Sequence, residues 1–124
     1  MENKKATILL VDDSSTNNLL LQSILEQNEF DTEVCFSGKE ALKTLDKKHI
    51  DAILLDLMMP GMSGYEVLDA IKSNPNTANI PVIIVSADCE IADKEKAIEK
   101  GATWYLEKPL KLNEVVEKVK EILA

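Results

Sequence analysis

The stretch Ala52-Ile-Leu-Leu-Asp56-Leu-Met-Met-Pro60-Gly61-Met-Ser-Gly64 decides the architecture of this chain. It opens on an apolar run of strand length, Ala52 to Leu57, interrupted near its end by one carboxylate, Asp56. A run that is apolar at every position, not at alternate ones, predicts a strand buried on both faces, as in a parallel sheet covered by helices. Pro60-Gly61 fits a type II turn, with proline presetting φ and glycine accepting φ > 0. Ser63-Gly-Tyr-Glu66 then reads as a capping box: the serine oxygen accepts from the first turn and the glutamate reaches back. Strand, sharp turn and helix follow one another directly, with a carboxylate at the hinge.

Four similar runs lie outward from this one: Ala6 to Val11, Thr32 to Phe36, Val82 to Val85 and Thr103 to Leu106. Segments of about fifteen to thirty residues with helical periodicity separate the five runs, enough for the crossovers that parallel strands require. Ser37-Gly-Lys-Glu40 repeats the capping-box pattern. Leu20, Ile24 and Leu25 form the expected apolar stripe of the first helix, Ala41, Leu42 and Leu45 that of the second, and Val67, Leu68 and Ile71 that of the third. The last helix sets Leu112, Val115, Val116, Val119, Ile122 and Leu123 on one face and Glu114, Glu117, Lys118, Lys120 and Glu121 on the other. A fourth helix, roughly residues 90–100, buries little beyond Ile91, Ala97 and Ile98 before Gly101 ends it, and is expected to be the most weakly anchored. The unit is a doubly wound (βα)5 α/β fold, flavodoxin-like, with a five-stranded parallel sheet of order 2-1-3-4-5 and helices on both faces. Ligands of such sheets lie beyond the strand C-termini, near strands one and three.

Composition agrees with one domain across residues 1–124, its core about 6–123. The chain has 124 residues, 45% of them hydrophobic but only 4% aromatic, so the core is built from aliphatic side chains. Fourteen basic residues stand against twenty-two acidic ones; the net charge of -8 repels phosphate backbones and anionic lipid, so neither nucleic acid nor a membrane is an expected direct partner. Cys35 and Cys89 match no metal-ligand spacing. The apolar stretch before Asp12 is too short for a signal peptide or a span, which makes the cytoplasm the expected location.

The C-terminal ends of the predicted strands bring together Asp12 and Asp13, Asp56, Ser86 and Lys108. Each has an ordinary reading when taken alone: two aspartates between strand and helix make a loop and an N-cap, a serine after a strand is a turn residue, and a lysine is a solvated charge. Asp56 differs, because it closes an apolar run where an unpaired charge is costly. Three carboxylates on one rim repel one another and raise each other's pKa unless a cation neutralises them. Mg²⁺ suits such a site: it takes oxygen ligands, keeps several waters, and leaves room for a phosphate oxygen.

Val11-Asp12-Asp13, Leu55-Asp56 through Gly64, Val85-Ser86-Ala87 and Lys108-Pro109 together resemble, in order and spacing, the signature of the receiver domain of two-component response regulators, of the chemotaxis-regulator type. The resemblance covers roughly residues 6–123. It implies that Asp56 is the phosphoacceptor and that Asp13 and Asp56 hold Mg²⁺, or Mn²⁺ in its place, with the backbone carbonyl of Met58, Asp12 acting directly or through a water. It also implies that Lys108 pairs with Asp56 and then with the phosphoryl group. Ser86 becomes the hydroxyl that moves to a phosphoryl oxygen, and Tyr105 the switch aromatic that turns inward. The Lys108–Pro109 bond is typically cis in the family. The implied donor is a histidine kinase or a His phosphotransfer protein, and the output is a switched surface read by a downstream protein that the sequence does not name, or a phosphorylation-dependent homodimer. Ser86, Tyr105 and the lightly packed fourth helix form the bistable element. The chain is then not a multiple-turnover enzyme on an external substrate, though it catalyses its own phosphorylation and dephosphorylation.

Some positions depart from the family pattern. Lys111 stands where an acidic residue often caps the last helix, Ser86 replaces a common threonine but keeps the hydroxyl, and Asn17 resembles receivers of hybrid kinases as well as stand-alone ones. Met58 and Asp88 occupy positions that tune phosphoryl lifetime in the family. A flavodoxin-like cofactor module needs a glycine- or hydroxyl-rich loop where this chain has Asp12-Asp13. An aspartate-nucleophile phosphatase has a second aspartate where this chain has Met58. A degenerate receiver, used only for interaction, is opposed by the presence of every reactive position.

Overall fold

A computed structural model describes residues 5–87 and 91–124. Strands and helices alternate along the chain: β1 (Thr7–Val11), α1 (Ser15–Gln27), β2 (Asp31–Cys35), α2 (Gly38–Lys47), β3 (Ala52–Asp56), α3 (Gly64–Ser73), β4 (Val82–Ser86), α4 (Ile91–Glu99), β5 (Trp104–Glu107) and α5 (Leu112–Leu123). All pairings are parallel, in the order β2-β1-β3-β4-β5, as the sequence predicts.

Alternation along each strand sorts its side chains into two cores. Ile8, Leu10, Ala52, Leu54, Ile83 and Val85 face α1 and α5, where Leu21, Leu25, Val115, Val116 and Val119 meet them. Leu9, Val11, Ile53, Leu55, Val82 and Ile84 face the opposite layer, with Ala41, Val67, Leu68, Ile71 and Ala97 from α2, α3 and α4. The central strands β3 and β4 are buried at every position, which is why their sequences read as unbroken apolar runs.

The local chemistry explains where the helices begin and end. Ser63 and Glu66 make a complete capping box, whereas at Ser37 only the serine's half forms, its Oγ accepting from the Glu40 N–H at 3.2 Å. Gly61 takes φ +78°, as a type II turn requires at its third position. Gly101 takes φ +105° and ends α4 in a Schellman motif: the Ala102 N–H donates to the Ala97 carbonyl and the Gly101 N–H to that of Ile98. Lys111 stands at the α5 N-cap without a side-chain cap bond, the weak cap expected there.

Several expectations need correction. On α1 the buried face is Asn18, Leu21 and Leu25, while Leu20 is 50% exposed. Leu20 lies about 100° round the helix from Leu21, so a one-residue error of phase turns the stripe outward. On α4, Ala97 is buried but Ile98 is 49% exposed; the Ile91 side chain, Glu90, Asp88 and Cys89 lie outside what is described. β2 begins at Asp31 and ends at Cys35, leaving Phe36 exposed beyond it. Lys118 is not simply solvated, since its ammonium sits 3.8 Å from the Trp104 ring centroid. The described part of α4 is held at its flanks by polar contacts: the Tyr65 hydroxyl donates to the Asp93 carbonyl at 3.3 Å, and Lys94 pairs with Glu107 at 2.9 Å.

Candidate functional site

The sheet register delivers the candidate residues to one edge. Asp12 directly follows β1, Asp56 and Ser86 are the last residues of β3 and β4, and Lys108 directly follows β5. Asp12, Asp56 and Ser86 are buried, whereas Asp13 is exposed. One carboxylate oxygen from each of Asp12, Asp13 and Asp56 lies within 4.8 Å of the others. Three hard oxygen donors at that spacing, one open to solvent, fit a divalent cation that keeps part of its water shell.

Hydrogen bonds hold the buried pair in place. The Lys108 ammonium bridges Asp12 Oδ2 at 3.0 Å and Asp56 Oδ2 at 3.2 Å. Asp56 Oδ1 accepts from the Met58 N–H at 3.0 Å, so the loop after β3 fixes the carboxylate plane. Asp12 Oδ1 accepts from the Ser14 N–H at 2.9 Å, and Asn17 Nδ2 lies 3.4 Å from Asp12 Oδ2. The N-cap of α1 is Ser14, whose oxygen accepts from the Asn17 N–H, which leaves both aspartates free of capping duty. The Lys108 N–H donates to the Ser86 carbonyl at 2.9 Å, tying the β5–α5 loop to β4, and the Lys108–Pro109 bond is cis. The Ser86 hydroxyl donates to the Ala87 carbonyl at 3.4 Å. Tyr105 packs against the core on the α2–α4 side with its hydroxyl buried, so the ring already lies inward.

Burial, the largest influence, and the facing charge of Asp12 push the Asp56 carboxyl above the ordinary carboxylate range; the Met58 N–H and the Lys108 ammonium offset this only in part. The folded chain thus keeps this proton to a higher pH than the unfolded chain does. Ionised Asp56 therefore subtracts stability, a penalty absent below the unfolded carboxylate pKa and complete above the raised folded one. Asp56→Asn is accordingly expected to raise the urea midpoint of the metal-free protein at neutral pH, and the gain should shrink as the pH is lowered through the acid range. A neutral-pH midpoint at or below wild type would contradict this balance of charges.

Two residues have roles in the site that were not apparent from the sequence. Gly64 packs so closely under the Asp56–Leu57 backbone that its N–H donates to the Leu57 carbonyl at 3.0 Å. Asn18, 1% exposed, donates from Nδ2 to the Asp12 carbonyl at 2.9 Å. The only sequence signal for Asn18 was its spacing, three and seven residues before Leu21 and Leu25.

A doubly wound sheet with an acidic cluster and a lysine at its C-terminal edge is the arrangement on which the comparisons bear. The family model "Response regulator receiver domain" matches residues 8–120, and the chain belongs to that family. It is 42% identical over 108 residues to a "Probable cyclic di-GMP phosphodiesterase" of Vibrio cholerae, covering 87% of this chain and 24% of that protein. It is 34% identical over 115 residues to the heme response regulator HssR of Staphylococcus aureus, covering 93% of this chain and 50% of the relative. The chain thus spans between about a quarter and a half of these curated relatives. The structure of the Vibrio cholerae chemotaxis protein CheY4 superposes with a TM-score of 0.92 at 26% identity, over 97% of this chain and 100% of that one. Among the described residues no helix is long and apolar enough to cross a membrane.

Proposed function

We propose that this receiver domain accepts a phosphoryl group on Asp56 from a histidine kinase or a His phosphotransfer protein and thereby switches a protein-binding surface. The observation that carries the reading is the buried Asp56 carboxylate, bonded to Lys108 and within 4.8 Å of the Asp12 and Asp13 carboxylates. The site's donor set fits Mg²⁺, held by Asp13, Asp56 and the Met58 carbonyl with Asp12 alongside; when bound, the ion neutralises the carboxylates and stabilises charge on the phosphoryl oxygens. The remaining work falls to the chain itself. Asp56 attacks phosphorus as an ionised carboxylate and forms an acyl phosphate while the P–N bond to the donor's histidine breaks; the imidazole leaves and takes its proton from solvent, so no separate base is needed on this chain. Lys108 shifts its ammonium toward the new phosphoryl oxygens. Ser86 turns its hydroxyl from the Ala87 carbonyl to the phosphoryl group, and Tyr105 and the lightly packed α4 respond to that turn. The same reading places the chain in the cytoplasm as one domain over residues 1–124. Its outputs are a downstream protein or a phosphorylation-dependent homodimer, without turnover of an external substrate.

Incubation with acetyl phosphate and Mg²⁺, followed by intact-mass measurement, tests this. The wild type should gain one acid-labile phosphate, mapped to Asp56 and missing from Asp56→Asn. Failure to label with acetyl phosphate and several small donors would remove the phosphoacceptor reading.

A further inference from the structure

On the α1–α5 side of the sheet, directly beneath the carboxylate pair, lies a cavity of about 10 Å³ walled by Asp12, Asn18 and Asp56 with Leu21, Leu54 and Val85. Asn18 orients this wall. Its Nδ2 donates to the Asp12 carbonyl at 2.9 Å and approaches the Cys35 carbonyl at 3.4 Å. Carbonyl oxygens only accept, so the amide nitrogen must face them and the amide oxygen must point away. That oxygen, Oδ1, is buried and has no hydrogen-bond partner in the protein. The polar groups around the cavity are then all acceptors: Asn18 Oδ1 and two carboxylates. An occupant must be very small and must donate hydrogen bonds.

We propose that this cavity binds a single water molecule, which donates one hydrogen to Asn18 Oδ1 and the other to the Asp56 carboxylate, making Asn18 a positioning residue for Asp56. By volume, one water needs roughly 10–15 Å³ measured this way and two to four polar partners, and the cavity meets both conditions at their lower bound. Asp56 is the better acceptor of the two carboxylates, because its oxygens take bonds from Met58 and Lys108, whereas Asp12 already takes bonds from Ser14, Asn17 and Lys108. The Asn18 amide therefore acts in two directions: its nitrogen ties the ends of β1 and β2 to α1, and its oxygen, through the water, braces Asp56 from the core side.

The consequence for labelling rests on the proposed function, while the water itself is measured separately. A high-resolution crystal structure of the full chain should show an ordered water within hydrogen-bond distance of Asn18 Oδ1 and Asp56. A water-selective Overhauser experiment should connect the Asn18 amide hydrogens to long-lived water. Val85→Ile adds a methyl to the cavity wall and should expel it; Leu21→Met, a longer side chain at another wall position on the α1–α5 side, serves if the first variant does not fold. Expulsion should lower the maximal rate of acetyl phosphate labelling about fivefold, the worth of one hydrogen bond, with the half-saturating donor concentration unchanged. A dry cavity in the wild type overturns the site. A displaced water with unchanged labelling overturns the bracing role. If the wild type does not label at all, the phosphoacceptor reading fails, and the water stands or falls on the density and the Overhauser contact.

Discussion

Gly64→Ala is expected to cost about 3 kcal/mol of stability or more, at the upper end for overpacking, because the added carbon meets main chain and not a side chain that can turn aside. At Gly64 a Cβ would press on the Leu57 Cα and stand 2.5 Å from the Asp56 carbonyl oxygen. Relief requires α3 to move away from β3, which breaks the Gly64 N–H bond to the Leu57 carbonyl and disturbs the Ser63–Glu66 capping box beside it. The loop that aims the Met58 N–H at Asp56 lies between these points, so the carboxylate should lose its orientation as well. Gly61→Ala is the internal comparison. Nothing lies within 4 Å of a Cβ there, and only the φ of +78° is unfavourable, so the cost should be about 1 kcal/mol. Urea unfolding followed by circular dichroism separates the two. Equal midpoints for the two variants would show that the close approach of α3 to β3 is not what demands glycine at position 64.

Gly64 also marks the boundary of what could be read from the sequence. β3, the carboxylate at its end, the Pro60-Gly61 turn and the Ser63 cap were legible because each rests on neighbours along the chain. The gathering of Asp12, Asp56, Ser86 and Lys108 was legible one step further, since parallel order puts every strand's C-terminus on the same edge. The demand for glycine at position 64 depends on a distance between two elements, and local pattern does not contain it. The burial of Asn18 was hidden for a related reason. Three leucines in succession, Leu19 to Leu21, leave the phase of α1 open, and only packing against β1 and β2 selects the face with Asn18, Leu21 and Leu25. In α4, Ala97 and Ile98 posed the same ambiguity, and the smaller residue took the buried place. Lys118 read as a solvent-face charge because helical periodicity says nothing of an aromatic ring on the adjacent strand.

Lys108→Met should lower the rate of acetyl phosphate labelling about 100-fold or more, the scale of losing a donor aimed at developing charge. The substitution keeps much of the side-chain stem and removes the ammonium that lies 3.0 Å from Asp12 and 3.2 Å from Asp56. Burial by itself pulls the lysine's pKa down, but the hydrogen bond it donates to Asp12 and the charge of Asp56 outweigh it and hold the ammonium above the ordinary lysine value. A raised lysine contributes stability that is complete below its unfolded pKa and is lost only as the pH rises through the folded one, so the whole contribution is present at neutral pH. With side-chain exposures of 18% for Lys108 and 6% for each aspartate, removing the charge leaves two desolvated carboxylates facing each other without a counter-ion. Breaking a buried pair in this way costs about 3 kcal/mol in metal-free buffer. Mg²⁺ should then raise the thermal midpoint of the variant more than that of the wild type, because a cation held by the folded state alone replaces the missing charge. Equal Mg²⁺ responses in the two proteins would mean that the ion and Lys108 do not compensate the same carboxylates. A wild-type labelling rate in Lys108→Met would mean that the ammonium takes no part in phosphoryl transfer, whatever it contributes to the fold.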